Sequence, residues 1–224
     1  MTKVLDIPDK IGTLVDIYLK LKKQVIEMGF GWEIDWQENI RICEITESDF
    51  LREAAWVVLS SGMRETVIRQ KFPSVSRAFF QWESAEKIDK NQDVCEKDAL
   101  SVFRHKKKIN AIIEICAHVS RIGYETVRTK IEDMGIDYIM QFPYMGPATS
   151  FHFGKNIGLP VAKPDRHLCL IAKAVGYSSV QSMCEDISSV TGEKISVVDL
   201  VLWRFASCER NYLCYFSDST YHRE

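Results

Sequence analysis

The stretch Gln141–Leu168, QFPYMGPATSFHFGKNIGLPVAKPDRHL, decides how the rest of the chain is read. Pro143 fixes one dihedral of a turn. Gly146 permits a backbone shape that most residues resist. Pro147 suits the first position of a helix, where a missing N–H costs nothing. The order predicts helix, tight hairpin, helix, with the second helix running from Pro147 to about Lys155. Unpaired N–H groups at such a helix start suit an anion. Main-chain contacts of this kind hold a nucleic-acid phosphate without reading sequence. A plain helix-to-helix turn would use Gly-Pro equally well. Asp165 then precedes an apolar helix, where its ordinary job is to cap. The same place keeps a carboxylate ionised, and Lys163, Arg166 and His167 add positive charge around it. An ionised carboxylate in a cleft can stabilise a sugar cation as its base departs, or orient an attacking water. His167 can hold a phosphate or serve as a surface or capping histidine.

Outward from this stretch nearly everything reads as helix. Ile11, Leu14, Val15, Tyr18, Leu21, Val25 and Met28 recur at helical spacing, and Gly29 ends the run. Gly29 to Thr46 is aromatic and less periodic, and Ile40–Ile45 (IRICEI) alternates enough for one short strand. Ser48 opens a helix that stops at Ser60-Ser61-Gly62. Two short helices follow, separated by Pro73, then a loop near Asp89–Asp93 and a helix from about Ala99 to Phe103. KKKINAIIEICAHVSRIG is the clearest helix, with Ile109, Ile112, Ile113, Cys116 and Val119 on one face and Gly123 as its stop. ETVRTKIEDMG and IDYIMQF pair across Gly135. Helices from Pro164 to Val175, over SSVQSMCEDISSVTG and over SVVDLVLWRFASCE close the chain, the last with a capping-box signal in Ser196 and Asp199. The fold class is all-α, with about ten short helices.

Hydrophobic residues at 46% and charged residues at 27% describe an ordinary globular chain. No apolar run is long enough to span a membrane, and MTKVLDIPDK lacks the pattern of a signal peptide. The expectation is a cytoplasmic (nucleoid-associated) or nuclear protein, not a secreted one. The seven cysteines are odd in number and sit mostly in apolar runs, so buried free thiols are expected. Only Cys208 and Cys214 lie near each other, and no C-x-x-C occurs. His105, His118, His152, His167 and His222 show no H-E-x-x-H spacing, which argues against a metal-dependent hydrolase. A net charge of −2 names no partner. Its distribution is more useful: acids gather in GWEIDWQENIRICEITESD, while cations gather in FRHKKKIN and at Lys155, Lys163, Arg166 and His167. A local basic patch can bind a polyanion, although a solvated helix start would look the same.

FPYMGPATSFHF followed by VAKPDRHLCLIAKAVG resembles the helix-hairpin-helix, Gly/Pro-rich, aspartate signature of the DNA glycosylase superfamily (HhH-GPD), most closely from Ile136 to Gly176. FLREAAWVVLSSGM resembles the superfamily's early barrel helix and the loop after it, and FRHKKKINAIIEICAHV its later basic-to-apolar helix. The resemblance implies two helical domains with DNA in a cleft between them. Residues 47–157 would form the barrel domain ending in the hairpin, and residues 1–46 with 158–224 the second domain. Asp165 matches the essential aspartate. Pro143, Tyr144, Met145, Gly146, Ala148 and Thr149 match the hairpin that grips phosphates and sometimes a monovalent cation through its carbonyls, with Lys163, Arg166 and His167 as further DNA contacts. No metal is otherwise required, and no cofactor. Ser60–Arg64 matches the loop that wedges into the gap left by a flipped base, Met63 being the first wedge candidate and Arg64 the next.

Two departures carry consequences. Tyr144 stands where the family has its first hairpin glycine. Ala148 stands where bifunctional members have lysine, so no Schiff base can form at that position; Lys155, further along the same face, is the substitute to consider. The cysteine set of iron–sulfur members is missing. These residues imply a monofunctional enzyme that removes a base with water and does not cut the strand. Trp32, Trp36, Phe142 and His152 are the base-pocket candidates, with Glu33 or Asp35 as an acid for a base edge. The expected partner is double-stranded DNA holding a damaged or modified base, an alkylated purine such as 3-methyladenine or an oxidised guanine, bound by a monomer without membrane contact. The alternatives are a non-catalytic helix-hairpin-helix DNA-binding protein and a helical interaction protein.

Overall fold

The computed structural model describes residues 7–216, so the N-terminal segment used for the targeting expectation lies largely outside the described residues. Regular structure among the described residues is all helical. Contacts divide the chain into two units, one of residues 1–40 with 160–224 and one of residues 41–159. The sequence had placed these boundaries at 46/47 and 157/158.

The first unit contains α1 (Ile7–Val25), α2 (Gly31–Asn39), α11 (Arg166–Ala174), α12 (Val180–Thr191) and α13 (Ile195–Cys208). Helix α13 is its centre, with Val197, Val198, Val201, Leu202 and Phe205 buried. A helix apolar on most of its circumference must be surrounded, and α1, α2, α11 and α12 all pack on it. Beside this core, the buried Tyr18 hydroxyl donates to Glu193, which also receives Lys22 Nζ at 2.7 Å. The stretch expected to be irregular after Gly29 is helical: a π turn spans Ile26–Phe30, and Gly29 at φ 90° redirects the chain into α2. Met28, expected on the core face of α1, is exposed because that turn breaks the periodicity.

The second unit contains α3 (Glu47–Ser60), α4 (Glu65–Ala78), α5 (Ala85–Asp89), α6 (Gln92–Val102), α7 (Lys106–Ile122), α8 (Tyr124–Met134), α9 (Ile136–Ile139) and α10 (Pro147–Asn156). Helix α7 packs on α3, α5, α6 and α8 through Ile109, Ile112, Ile115, Cys116 and Val119. Gly123, at φ 83°, ends α7. Several local expectations are corrected. Ile42–Glu44 is a 3-10 turn rather than a strand. Among the described residues no strand exists to pair with it, and its neighbouring carbonyls are met by side chains: Tyr124 Oη donates to Ile45 O at 2.6 Å and Arg128 to Cys43 O at 3.3 Å. Helix α3 starts earlier than Ser48, because Thr46 caps it by accepting from Asp49 N at 3.1 Å. Pro73 lies inside one continuous helix, on its exposed side, where solvent can satisfy the carbonyl that proline leaves unpaired. The expected loop at Asp89–Asp93 shrinks to a turn at Lys90–Asn91, and α6 begins at Gln92. Cys43, Cys169, Cys208 and Cys214 are exposed, against the expectation of burial, while Cys95, Cys116 and Cys184 are buried.

One further segment escaped sequence reasoning. Phe80, Gln81 and Trp82 all have positive φ, a left-handed turn without glycine. Such residues cost about 1–2 kcal/mol each. Trp82 holds the turn: it is fully buried, stacks on Phe79 at 4.9 Å and donates from Nε1 to Ser76 Oγ at 3.0 Å.

A pH response is built into the second unit. Arg121 can only donate, so at 3.0 Å His118 Nδ1 accepts, and Nε2 carries the hydrogen it donates to Tyr138 Oη at 2.9 Å. Burial, with Arg121 and Lys130 nearby, lowers the His118 pKa. The unfolded chain therefore binds this proton first as the pH falls, and the stability present above about pH 6.5 is lost below it. Urea unfolding between pH 8 and 5 is expected to show a steeper loss for the parent than for His118→Gln.

Candidate nucleic-acid interface and carboxylate

In the second unit the turn between α9 and α10 is closed locally: Phe142 N donates to Ile139 O, at the end of α9, at 3.0 Å, and Met145 N donates to Phe142 O at 3.1 Å. The left-handed residue is Tyr144, at φ 65°, whereas Gly146 is extended at φ −72° and ψ −178°. The expectation for Gly146 is corrected accordingly: the turn bends two residues earlier, and Gly146 serves as the N-cap of α10 with Pro147 at its first position. Tyr144→Gly is expected to leave the urea midpoint at or above the parent's, and Tyr144→Ile to cost about 1–2 kcal/mol, because a β-branched side chain resists positive φ.

Pro143 and Thr149 are half-buried, and Ala148 and Tyr144 are exposed. Ala148 and Thr149 lie in the first turn of α10, where N–H groups have no intrahelical acceptor. Met145 is 2% exposed and Phe142 5%. Both are core side chains: Phe142 packs edge-on against Phe50, His118 and Tyr138. Met145 can therefore offer a ligand only its main chain, and Phe142 is corrected from pocket wall to core. The carbonyls of Phe142 and Gly146 accept hydrogen bonds from Met145 N and Ser150 N. His152 is half-buried on α10.

The start of α7 sits against both this turn and the loop after α3. The His105 ring caps α7 by accepting from Lys108 N at 3.4 Å, and its edge meets Tyr144, centroids 6.3 Å apart. Lys108 is 3% exposed, and its ammonium donates to Leu59 O at 2.6 Å and Ser61 O at 2.5 Å. Burial pushes the Lys108 pKa below the ordinary lysine range. The loop it holds turns at Gly62, φ 66°, with Met63 and Arg64 exposed. Arg104, Lys106 and Lys107 are exposed too, Lys106 pairing with Glu96 at 3.3 Å. The second unit thus brings the Tyr144 turn and the Met63 loop to the basic start of α7. Sequence spacing could not reveal that Lys108 alone of its run turns inward.

In the first unit Asp165 caps α11, its Oδ1 accepting from Leu168 N at 2.9 Å, and its side chain is half-exposed. The extended segment before it is strapped down. Ala162 N donates to Gln181 Oε1 at 2.8 Å, Lys163 N to Asp199 Oδ2 at 2.6 Å, and Asp165 N to Lys163 O at 2.8 Å. Asp199 and Ser196 are buried within α13, whose N-cap is Lys194, so the expected capping box is corrected: Asp199 positions the chain that carries Asp165. Arg166 is exposed and Lys163 half-buried. His167 packs edge-on against Tyr212 at 5.2 Å, and its Nδ1 is buried without a hydrogen-bond partner among the described residues. Trp32 and Trp36 stand one turn apart on α2, both exposed, so they present indole faces to solvent rather than line an enclosed pocket. Glu33, between them, faces inward and binds Arg204 through both carboxylate oxygens, at 2.8 and 2.5 Å.

Lys155 is 5% exposed, which removes it as a substitute nucleophile reaching solvent. With Asn156 it flanks Glu53, whose Oε1 accepts from Asn156 Nδ2 at 2.7 Å and whose pKa is raised by burial. A groove of about 580 Å³ in the second unit, lined by Cys43, Glu47, Tyr124 and Arg128 among others, contains none of the sequence-derived candidates. Among the described residues no three His, Cys, Asp or Glu side chains stand together as a metal site, and no helix is long and apolar enough to cross a membrane. No family model, no curated protein and no solved structure matches this chain.

Proposed function

We propose that this protein is a monofunctional DNA N-glycosylase of base excision repair, acting on a duplex with a damaged or modified base. The observation that carries the DNA-binding part is the clustering at the start of α7 of an open helix N-terminus and turn, an exposed Met63–Arg64 loop and exposed Arg104 and Lys107. Positive charge beside main-chain donors suits phosphates, and an exposed apolar side chain on a tight loop suits the space left by an everted base. Arg166 and Lys163 add cations beside Asp165. In this role the free oxygen of Asp165 stabilises the sugar cation as the base leaves or orients the incoming water. Catalysis requires that the duplex held by the second unit reach this carboxylate. With Ala148 in the first turn of α10 and Lys155 buried, no solvent-facing amine occupies either position considered for a Schiff base, which supports base removal without strand cleavage.

A second reading is favoured by one contact. The bond from Leu168 N to Asp165 Oδ1 accounts for Asp165 as a cap, as a non-catalytic helix-hairpin-helix DNA-binding protein would need. Duplexes carrying alkylated purines, oxidised guanine and other modified bases, incubated with the protein and treated with alkali, separate the two. Abasic-site cleavage on one lesion, without borohydride trapping, is the expected result. No cleavage across the panel, with salt-sensitive duplex binding retained, would leave the binding protein.

A further inference from the structure

Helix α7 opens with Lys106, Lys107 and Lys108 and has no acid in its first turn. Cations at a helix N-terminus oppose its dipole, and such local conflicts concentrate at functional places. Lys108 resolves the conflict at the end of another helix. Its buried ammonium meets the Leu59 and Ser61 carbonyls, the C-terminal end of α3, where a cation is favoured. The residues next along the chain are Gly62, in the left-handed region, and the exposed Met63, whose N–H returns to Ser60 O at 3.0 Å.

We infer that Lys108 is a positioning residue that latches the Ser60–Arg64 loop with Met63 projecting, so that the loop can enter a DNA duplex at the vacated base position. The inference rests on the DNA-binding reading above and assigns it a residue that never touches the nucleic acid. A loop of five residues anchored only at its ends samples many shapes. The bond from the buried ammonium to Ser61 O, beside the one to Leu59 O at the end of α3, restrains the first part of the loop before binding, so that part of the ordering cost does not fall on the complex.

The test compares the affinity for a duplex bearing a tetrahydrofuran abasic-site analogue with that for the same duplex undamaged, by fluorescence anisotropy. The parent is expected to prefer the abasic duplex. Lys108→Met is expected to reduce that preference about tenfold, with affinity for undamaged duplex changed little. Met63→Ala should reduce it similarly, and the double variant no further, since the two act through one loop. Gly62→Val, which strains the same turn and leaves Lys108 in place, serves if Lys108→Met fails to fold, and should give the same loss. Local amide exchange at Ser61–Met63 should quicken in Lys108→Met. A parental preference in Lys108→Met or Gly62→Val would overturn the latch while leaving DNA binding intact, as would a parent that binds both duplexes equally. A parent that binds neither duplex would overturn the DNA reading itself, and the latch with it.

Discussion

Asp165→Asn is expected to slow base release by about a thousandfold while leaving duplex affinity and thermal stability close to the parent's. The expectation follows from the two jobs that Asp165 can do. As a cap, it needs one oxygen to accept from Leu168 N, and an asparagine amide oxygen supplies that equally well. As a charge stabiliser, it needs a full negative charge on an oxygen that solvent and substrate can reach, and the half-exposed side chain meets that condition. Asparagine keeps the first job and loses the second. Asp165→Ala loses both, and should lower stability by about 1 kcal/mol through the cap alone. Single-turnover excision on the preferred lesion, beside thermal unfolding of all three proteins, measures the two effects separately. If Asp165→Asn releases base at the parental rate, Asp165 is only a cap and the chemistry lies elsewhere.

Arg204→Ala is expected to destabilise the first unit by about 3–5 kcal/mol, the cost of leaving one partner of a buried ion pair uncompensated. The side chains of Arg204 and Glu33 are 12% and 7% exposed. The guanidinium also lies over the rings of Phe30 and Trp203, at 4.4 and 4.7 Å, so the substitution removes packing along with charge. The double variant Glu33→Met with Arg204→Met should recover most of the loss, because replacing both charges removes the desolvation penalty. Urea unfolding reads both. A loss below about 1 kcal/mol for Arg204→Ala would mean that the pair behaves as a surface salt bridge. The pair also bears on recognition. A carboxylate clamped by arginine through both oxygens is poorly placed to read a base edge, so of the two acids considered for that role Asp35, exposed on the same helix, is the one facing solvent.

The order of helices was legible in the sequence wherever the signal was local. The apolar spacing of Ile109, Ile112, Cys116 and Val119 defined α7, Gly123 ended it, Pro147 opened α10, and Asp165 capped α11, because periodicity, proline geometry and caps act within a few residues. Local signals misled where a competing local device was stronger or a partner was missing. Gly29 broke the run that placed Met28 inside, Ile42–Glu44 had no strand to pair with among the described residues, and Pro73 sat on an exposed face that tolerates it.

The sequence by itself determined that this chain is helical, where most of its helices run, and that a basic helix start, a Gly-Pro turn and a capped aspartate follow one another in that order. Only the tertiary structure decided which members of that set face outward. Lys108 is buried while Lys107 is exposed, Met145 is core while Met63 is bare, and Asp199 straps the segment before Asp165 from a helix more than thirty residues on, by its bond to Lys163 N with a sequence separation of 36. The reason is physical. Helix formation is settled by neighbours along the chain, whereas burial and the hydrogen-bond partner of a charged side chain depend on which distant segments pack beside it.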